Sequence, residues 1–331
     1  MNILNDILLA IINLINQVIP SYGVAIIVFT LLIKLCVLPL DLKSRRSMQR
    51  MSALNPKLEA LKQKYGNDQE RYNQKEQELY QKEKISPLSG CLPLLISMPI
   101  LFAMFYAMRV VANEQLVEQF LTFMANPSMD PTTMNERFLW IKNLWMPDTP
   151  FHTSLPDLSS LRMITYDIWN NVSAKLASQG VIPEALNLTK DTLNAYITGT
   201  VEPFLNSPEY AVYLKPVAGL ANINLLLFNI TIYKDFNGYY VLPILAIVTQ
   251  IFSQKMTNAQ QGQASTQQSQ QNTMLWIFAF MSLWFCTTSS AAFSIYWVFS
   301  NIYAMVQQIV FAKYFAWQDR KSATAQEVGI R

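Results

Sequence analysis

The sequence predicts an all-α polytopic membrane protein: five transmembrane helices, a cytoplasmic helical hairpin and an extracytoplasmic, mostly helical insertion. Three observations predict it. Uncharged runs long enough to cross a bilayer recur along the chain. Hydrophobic residues make up 51% of the 331 positions and the mean hydropathy is +0.17, a balance typical of membrane chains rather than soluble domains. The charges are few and sorted, one connecting stretch being basic and another acidic.

Residues 1–20 are apolar but place Asn2, Asn5, Asp6, Asn13, Asn16 and Gln17 on one helical face. That pattern suits an amphipathic helix in the membrane interface. A signal peptide is disfavoured, because no Lys or Arg opens the segment and no small-residue cleavage site precedes Pro20. Residues 22–40, YGVAIIVFTLLIKLCVLPL, form the first span and hold one charge, Lys34. A lysine at membrane depth costs a few kcal/mol, so it faces water, a partner or a protein interior, or else its ammonium snorkels to the interface near Asp41.

Residues 41–84 are the cytoplasmic hairpin. Eleven Lys or Arg face six Asp or Glu between positions 42 and 84, and short loops with that bias stay in the cytoplasm. Met51, Leu54, Leu58, Leu61 and Tyr65 recur at helical spacing before Gly66 and Asn67 break the pattern, and a second charged helix follows. The pair offers a docking surface for anionic lipid heads, ribosome or a nascent chain, or is simply a solvated loop. Residues 85–112 form the second span, in which Pro87, Pro93 and Pro99 kink or end the early turns and Ser97 is the main polar interior residue.

In residues 113–235 the balance inverts. Seven Lys or Arg stand against twelve Asp or Glu between positions 110 and 235, with nine prolines, which suits an extracytoplasmic domain. Short amphipathic helices are expected over residues 114–124, 158–176 and 184–197. Asp148, Asp157 and Asp167 lie among turn residues and helix starts, where carboxylates serve as caps. His152 is the sole histidine and reads as a solvated loop residue.

Residues 236–254 are the third span. The Gln/Ser-rich residues 255–272 read as a flexible cytoplasmic loop. Residues 273–288 and 291–312 are the fourth and fifth spans, and residues 313–331 a cytoplasmic tail. With the basic hairpin inside, the N-terminus and the acidic domain lie outside and the C-terminus in the cytoplasm. Cys36, Cys91 and Cys286 fall in or beside apolar segments, which argues against disulfides and metal clusters. No Ser/His, Cys/His or carboxylate pair lies in the spans, so the chain does not read as an enzyme and needs no cofactor. Nine glycines are few for a transporter built from broken helices.

Six stretches in fixed order carry a family resemblance: TLLIKLCVLPL, LNPKLEALKQKYGND, ISPLSGCLPLLISMPILFAMFYAM, FLWIKNLWMPD, YYVLPILAIVTQIFSQKM and YWVFSNIYAMVQQ. They resemble the YidC family of membrane protein insertases over residues 22–111 and 238–313, together with the FLWIKNLWMPD stretch. The resemblance implies a water-filled groove, open to cytoplasm and lipid, with one positive charge on its first span. Lys34 falls at that charge, which is arginine in most relatives. Thr30 matches a groove threonine and Trp297 an aromatic groove position. Ser97, Gln250, Ser253, Ser294 and Gln307 join them as polar groups inside apolar spans.

The implied function is insertion and folding of newly made membrane proteins in the bacterial plasma membrane. The implied partners are nascent membrane proteins and lipids, with the Sec translocon, the signal recognition particle receptor and the ribosome as further candidates and a monomer as the working unit. The competing readings are an assembly chaperone without autonomous insertion and a small-anion transporter. Residues 150–234 make the outer domain longer than in other five-span members, with no role implied.

Overall fold

The computed structural model describes residues 2–83, 92–220, 223–225, 228–261 and 265–329. In chain order the helices are α1 Asn2–Val18, α2 Tyr22–Ser52, α3 Asn55–Tyr65, α4 Gln69–Lys82, α5 Leu92–Ala125, α6 Leu158–Arg162, α7 Tyr166–Ser178, α8 Lys190–Tyr196, α9 Glu202–Leu205 and α10 Pro208–Ala211. A two-stranded antiparallel hairpin, β1 Ile223–Leu225 and β2 Phe228–Ile230, precedes α11 Val241–Gln261, α12 Ser265–Thr288 and α13 Ala291–Gly329.

Among the described residues, three helical stretches, Tyr22–Tyr65, Met98–Ala125 and Ala291–Gln318, are long and apolar enough to cross a membrane. Of the other expected spans, α11 carries Gln250, Ser253, Gln254 and Lys255 from its middle onward, and α12 is apolar only over Asn272–Thr288. The segment expected as a flexible loop is helical where it is described, since α11 runs to Gln261 and α12 starts at Ser265. Gln, Ala and Met are adequate helix formers, so a polar extension of an apolar helix keeps its hydrogen bonds. Likewise α5 continues to Ala125 and α13 to Gly329.

Packing divides the chain into two compact units. The first comprises Met1–Phe29, Ala103–Ala246 and Leu283–Trp297. Its core follows the helical periodicity of α5, where Met104, Met108, Ala112, Leu116 and Phe120 are buried at four-residue steps. Phe120 and Phe123 meet Phe204 and Tyr210 edge to face at 5.4–6.3 Å, and Phe120 also meets Trp169 at 5.9 Å, the geometry favoured by ring quadrupoles. The Tyr210 hydroxyl donates to the Pro156 carbonyl at 2.6 Å. The helix expected over residues 158–176 is two helices broken at residues 163–165. Asp157 and Ser160 cap α6 reciprocally and α7 restarts after Thr165.

The second unit comprises Thr30–Phe102, Ile247–Ser282 and Val298–Arg331. It contains the helix pair α3 and α4. Asp68 caps α4 by accepting from the Arg71 N–H at 3.1 Å. Leu54, Leu58 and Tyr80 form a small core flanked by Met51 and Leu79. The Lys57 ammonium closes the open end on Glu83 at 2.5 Å, and that pair holds the Glu83 carboxyl below the usual range. Burial, with Glu76 beside it, pushes the Tyr80 hydroxyl up to about 12.

Candidate functional site

In the second unit α2 supplies Thr30 and Lys34. Thr30 is fully buried and Lys34 half-buried, while Leu31, Leu32 and Leu35 around them are exposed. Seven residues beyond Lys34, on the same helical face, Asp41 accepts a hydrogen bond from Gln307 Nε2 at 3.0 Å. This is a sequence-predicted residue found in a specific contact, and its partner Asp41 was identified in the sequence only as an interface neighbour. Gln250 is half-buried on α11. Ser253 is 9% exposed, and its carbonyl accepts from Gln308 Nε2 at 3.3 Å.

That last bond belongs to a polar seam joining α11 and α13. Asn301 donates to Thr249 Oγ1 at 3.2 Å, and Gln308 donates to Thr257 Oγ1 at 2.7 Å. Thr249, Ser253 and Thr257 recur every four residues on α11, and Asn301 and Gln308 are seven apart on α13. The spacing was a signal available in the sequence, since it sets the polar groups of both helices in one line. Hydrogen bonds of this kind tie helices together where no water competes.

The first unit holds Ser294 and Trp297. Ser294 is fully buried and its hydroxyl donates to the carbonyls of Cys286 and Ser290, at 3.2 and 3.4 Å. It therefore packs α12 against α13. Trp297 is 9% exposed, its ring lies tilted 5.6 Å from that of Phe293, and its indole N–H has no acceptor among the described residues. Ser97 lies in α5, and its side chain falls outside the described ones.

What sequence reasoning missed is the loop of residues 136–148, which starts three long helices in the first unit. Glu136 accepts from the Tyr22 N–H at 3.2 Å, at the first residue of α2. Asp148, completely buried, accepts from the Leu242 N–H of α11 at 2.6 Å and from the Trp140 indole at 3.2 Å. The carbonyls of Leu144 and Met146 accept from Ala292 and Ala291, the first residues of α13, at 2.9 and 3.0 Å. The bonds from Tyr22, Leu242, Ala291 and Ala292 each satisfy a backbone donor that a helix start leaves unpaired. Consequently α2, α11 and α13 all begin at one loop and point away from it in the chain direction. Gly23 and Gly238 permit the close approach, because a Cβ on either would overlap Phe138 or Asp148.

Asn237 holds this loop. Its Oδ1 accepts from the Asn143 N–H at 2.7 Å, and its amide donates to the carbonyls of Asn143, Met146 and Pro147 at 2.9–3.0 Å. Asn143 in turn donates to Gln119 and to the Ser154 carbonyl, while Lys142 and Ser154 both bind Asp235.

His152 is not the solvated residue expected. Its ring is two-thirds buried, with Nδ1 3.4 Å from Asp157 Oδ2. Burial works to raise the Asp157 carboxyl, but His152 and the donors of Ser160 and Ser159 hold it down to about 2. The Ser159 hydroxyl binds the Asp157 carboxylate and the Ser160 hydroxyl the Asp157 carbonyl, so the group is a helix cap in which the carboxylate orders the ring.

The family model described as 60Kd inner membrane protein matches residues 14–199 and 205–319 of the chain. A relative from Fusobacterium nucleatum, named membrane protein insertase YidC, is 45% identical over 108 residues, 33% of this chain and 53% of that protein. One of the same name from Chlorobaculum tepidum is 27% identical over 322 residues, 97% of this chain and 38% of the relative. A third, from Clostridium perfringens, is 38% identical over 140 residues, 42% of this chain and 50% of its own length. The matches thus span roughly 38 to 53% of these relatives' own lengths.

Proposed function

The chain belongs to the 60Kd inner membrane protein family, a multi-pass membrane protein with apolar helices long enough to span, and from that premise we propose that it inserts newly made membrane proteins through a hydrated groove centred on Lys34. The physical problem is that a hydrophilic segment must cross about 30 Å of hydrocarbon. A water-filled recess reaching partway in from the cytoplasm shortens the apolar path. Lys34 attracts acidic residues of the arriving tail, and lateral burial of the substrate's apolar segment in lipid drives the step. No bond is made or broken.

The observation that carries the reading is a half-buried lysine in the middle of an apolar helix whose neighbouring leucines are exposed. Two turns further on, the same face carries Asp41 with Gln307 bound to it. In this proposal Thr30, Gln250 and Gln307 share the groove wall with Lys34, and Ser97 and Ser253 extend it.

The reading takes five spans, with α2, the first half of α5, α11, α12 and α13 crossing the bilayer. The shared starting loop of α2, α11 and α13 supports it, since odd-numbered spans of a five-span chain must start on one side. The acidic domain then lies outside, the basic hairpin and the C-terminus in the cytoplasm of a bacterial cell. Substrates are nascent membrane proteins, with Sec translocon, signal recognition particle receptor and ribosome as candidate partners of a monomer.

The test is insertion of a single-span substrate with an acidic translocated tail into proteoliposomes. Lys34→Ala abolishes insertion and Lys34→Arg retains it. Full activity of Lys34→Ala would overturn the groove charge and leave chaperoning alone.

A further inference from the structure

A cavity of about 350 Å³ in the first unit plays no part in the insertion mechanism. It lies among α5, the turn between α12 and α13, and the loops around Trp145 and His152. Three rings gather in its lining, Phe285 and Phe293 lying with centroids 5.7 and 5.1 Å from that of Phe105. Arg109 and Asn113 follow Phe105 at four-residue steps on α5, about 6 Å each, so the lining passes from aromatic to polar along that helix, with Ala112 and Leu116 beside them.

From this gradient we propose that the cavity seats the phosphate head of a membrane phospholipid, its glycerol resting on the phenylalanine end and its chains outside in the bilayer. The volume falls within the roughly 300–1,000 Å³ of small-ligand pockets, enough for a head and glycerol but not for acyl chains. No Asp or Glu lines the cavity, and Arg109 has no ion-pair partner among the described residues. A guanidinium fork matches a phosphate with two parallel hydrogen bonds.

Trp145 adds a second, independent sign. It is among the residues lining the cavity, it is 2% exposed, and its buried indole N–H has no acceptor among the described residues. A donor of that kind costs free energy unless an acceptor arrives. The α13 start contributes nothing here, because its first N–H groups are already bound to Met146 and Leu144. The site is thus made of side chains. The inference rests on the chain's being a multi-pass membrane protein with α5 as a span, and is independent of Lys34.

Native mass spectrometry of the detergent-solubilised full chain tests it, with wild type, Arg109→Gln and Arg109→Lys each mixed with phosphatidylglycerol, a phosphate-free glycolipid of the same chains, or glycerophosphate. Wild type retains one phosphatidylglycerol, Arg109→Gln retains about tenfold less and Arg109→Lys falls between, as expected for loss of one charge-assisted pair. The glycolipid is not retained and glycerophosphate does not compete. Equal retention by Arg109→Gln, or equal retention of the glycolipid, overturns phosphate recognition; competition by glycerophosphate overturns the lipid in favour of a soluble anion. Because Arg109 is exposed, Arg109→Gln keeps the wild-type melting profile. Lys34→Ala retains the lipid as wild type does, so failure of the insertion reading and failure of this one give different patterns.

Discussion

Replacing Asn237 by Ala removes the clamp on the loop that starts three long helices. The side chain is fully buried and makes four hydrogen bonds. Its three carbonyl partners each keep a second donor: Met146 N–H for Asn143, Ala291 N–H for Met146 and Thr149 N–H for Pro147. The Asn143 N–H alone is stranded. A buried unsatisfied donor costs about 1–3 kcal/mol, and the weakened carbonyl bonds together with the small void add about 1 more, giving about 3 kcal/mol. For a unit of this size that lowers Tm by about 6–12 °C. Near-ultraviolet circular dichroism of the detergent-solubilised protein reads the transition. Hydrogen exchange at Ala291 and Ala292 should accelerate with it, because their acceptors sit on the released loop. Asn206→Ala, which removes an exposed bond within one helix end, is the control. A shift of under about 2 °C for Asn237→Ala, or equal shifts for the two variants, would refute the clamp.

Two further perturbations follow from single side chains. Asp157 is held to about 2, below its usual range, so its contribution is present above pH 4 and is lost as pH falls towards 2; Asp157→Asn therefore costs about 2 kcal/mol at pH 7. Melting curves of the two proteins should converge near pH 2, and a gap that persists there would contradict the linkage. Leu58, 4% exposed in the hairpin core, loses about 2–4 kcal/mol of local stability on truncation to Ala. Hydrogen exchange should rise over Asn55–Tyr65 and Gln69–Lys82 while Tm of the first unit stays unchanged; a global shift would mean that the hairpin supports more than itself.

The helices α3 and α4 were legible in the sequence because their signals are local: apolar residues at helical spacing, then Gly66 and Asn67, then a second charged run. The long apolar helix α2 was legible for the same reason. The role of the 136–148 loop was not, since Asn237 and Asn143 are 94 positions apart and nothing local marks an asparagine as a long-range clamp. His152 was misjudged likewise, because its carbonyl is bound by the Asn237 N–H, 85 positions away, and nothing local marks that contact. The Gln-rich stretch was misread from composition, which predicts no core but does not forbid a polar helix continuing from an apolar one. Of the candidate site, Lys34 stood out as the single charge in its span, and Gln307 was identified as polar in an apolar helix. The Thr249, Asn301 and Gln308 seam was encoded at spacings of four and seven and went unread.

Cysteine labelling in proteoliposomes measures hydration beside Lys34 most directly. Lys34→Cys and Leu32→Cys, about 200° apart on α2, are each placed in a chain whose native cysteines are replaced by serine, then treated with a membrane-impermeant maleimide from either side. Rapid modification is expected at position 34 from the cytoplasmic side alone and none at position 32, since the thiolate that reacts forms only in water. Failure to label position 34 from either side, or equal labelling from both, would contradict a groove that is wet and closed to the outside.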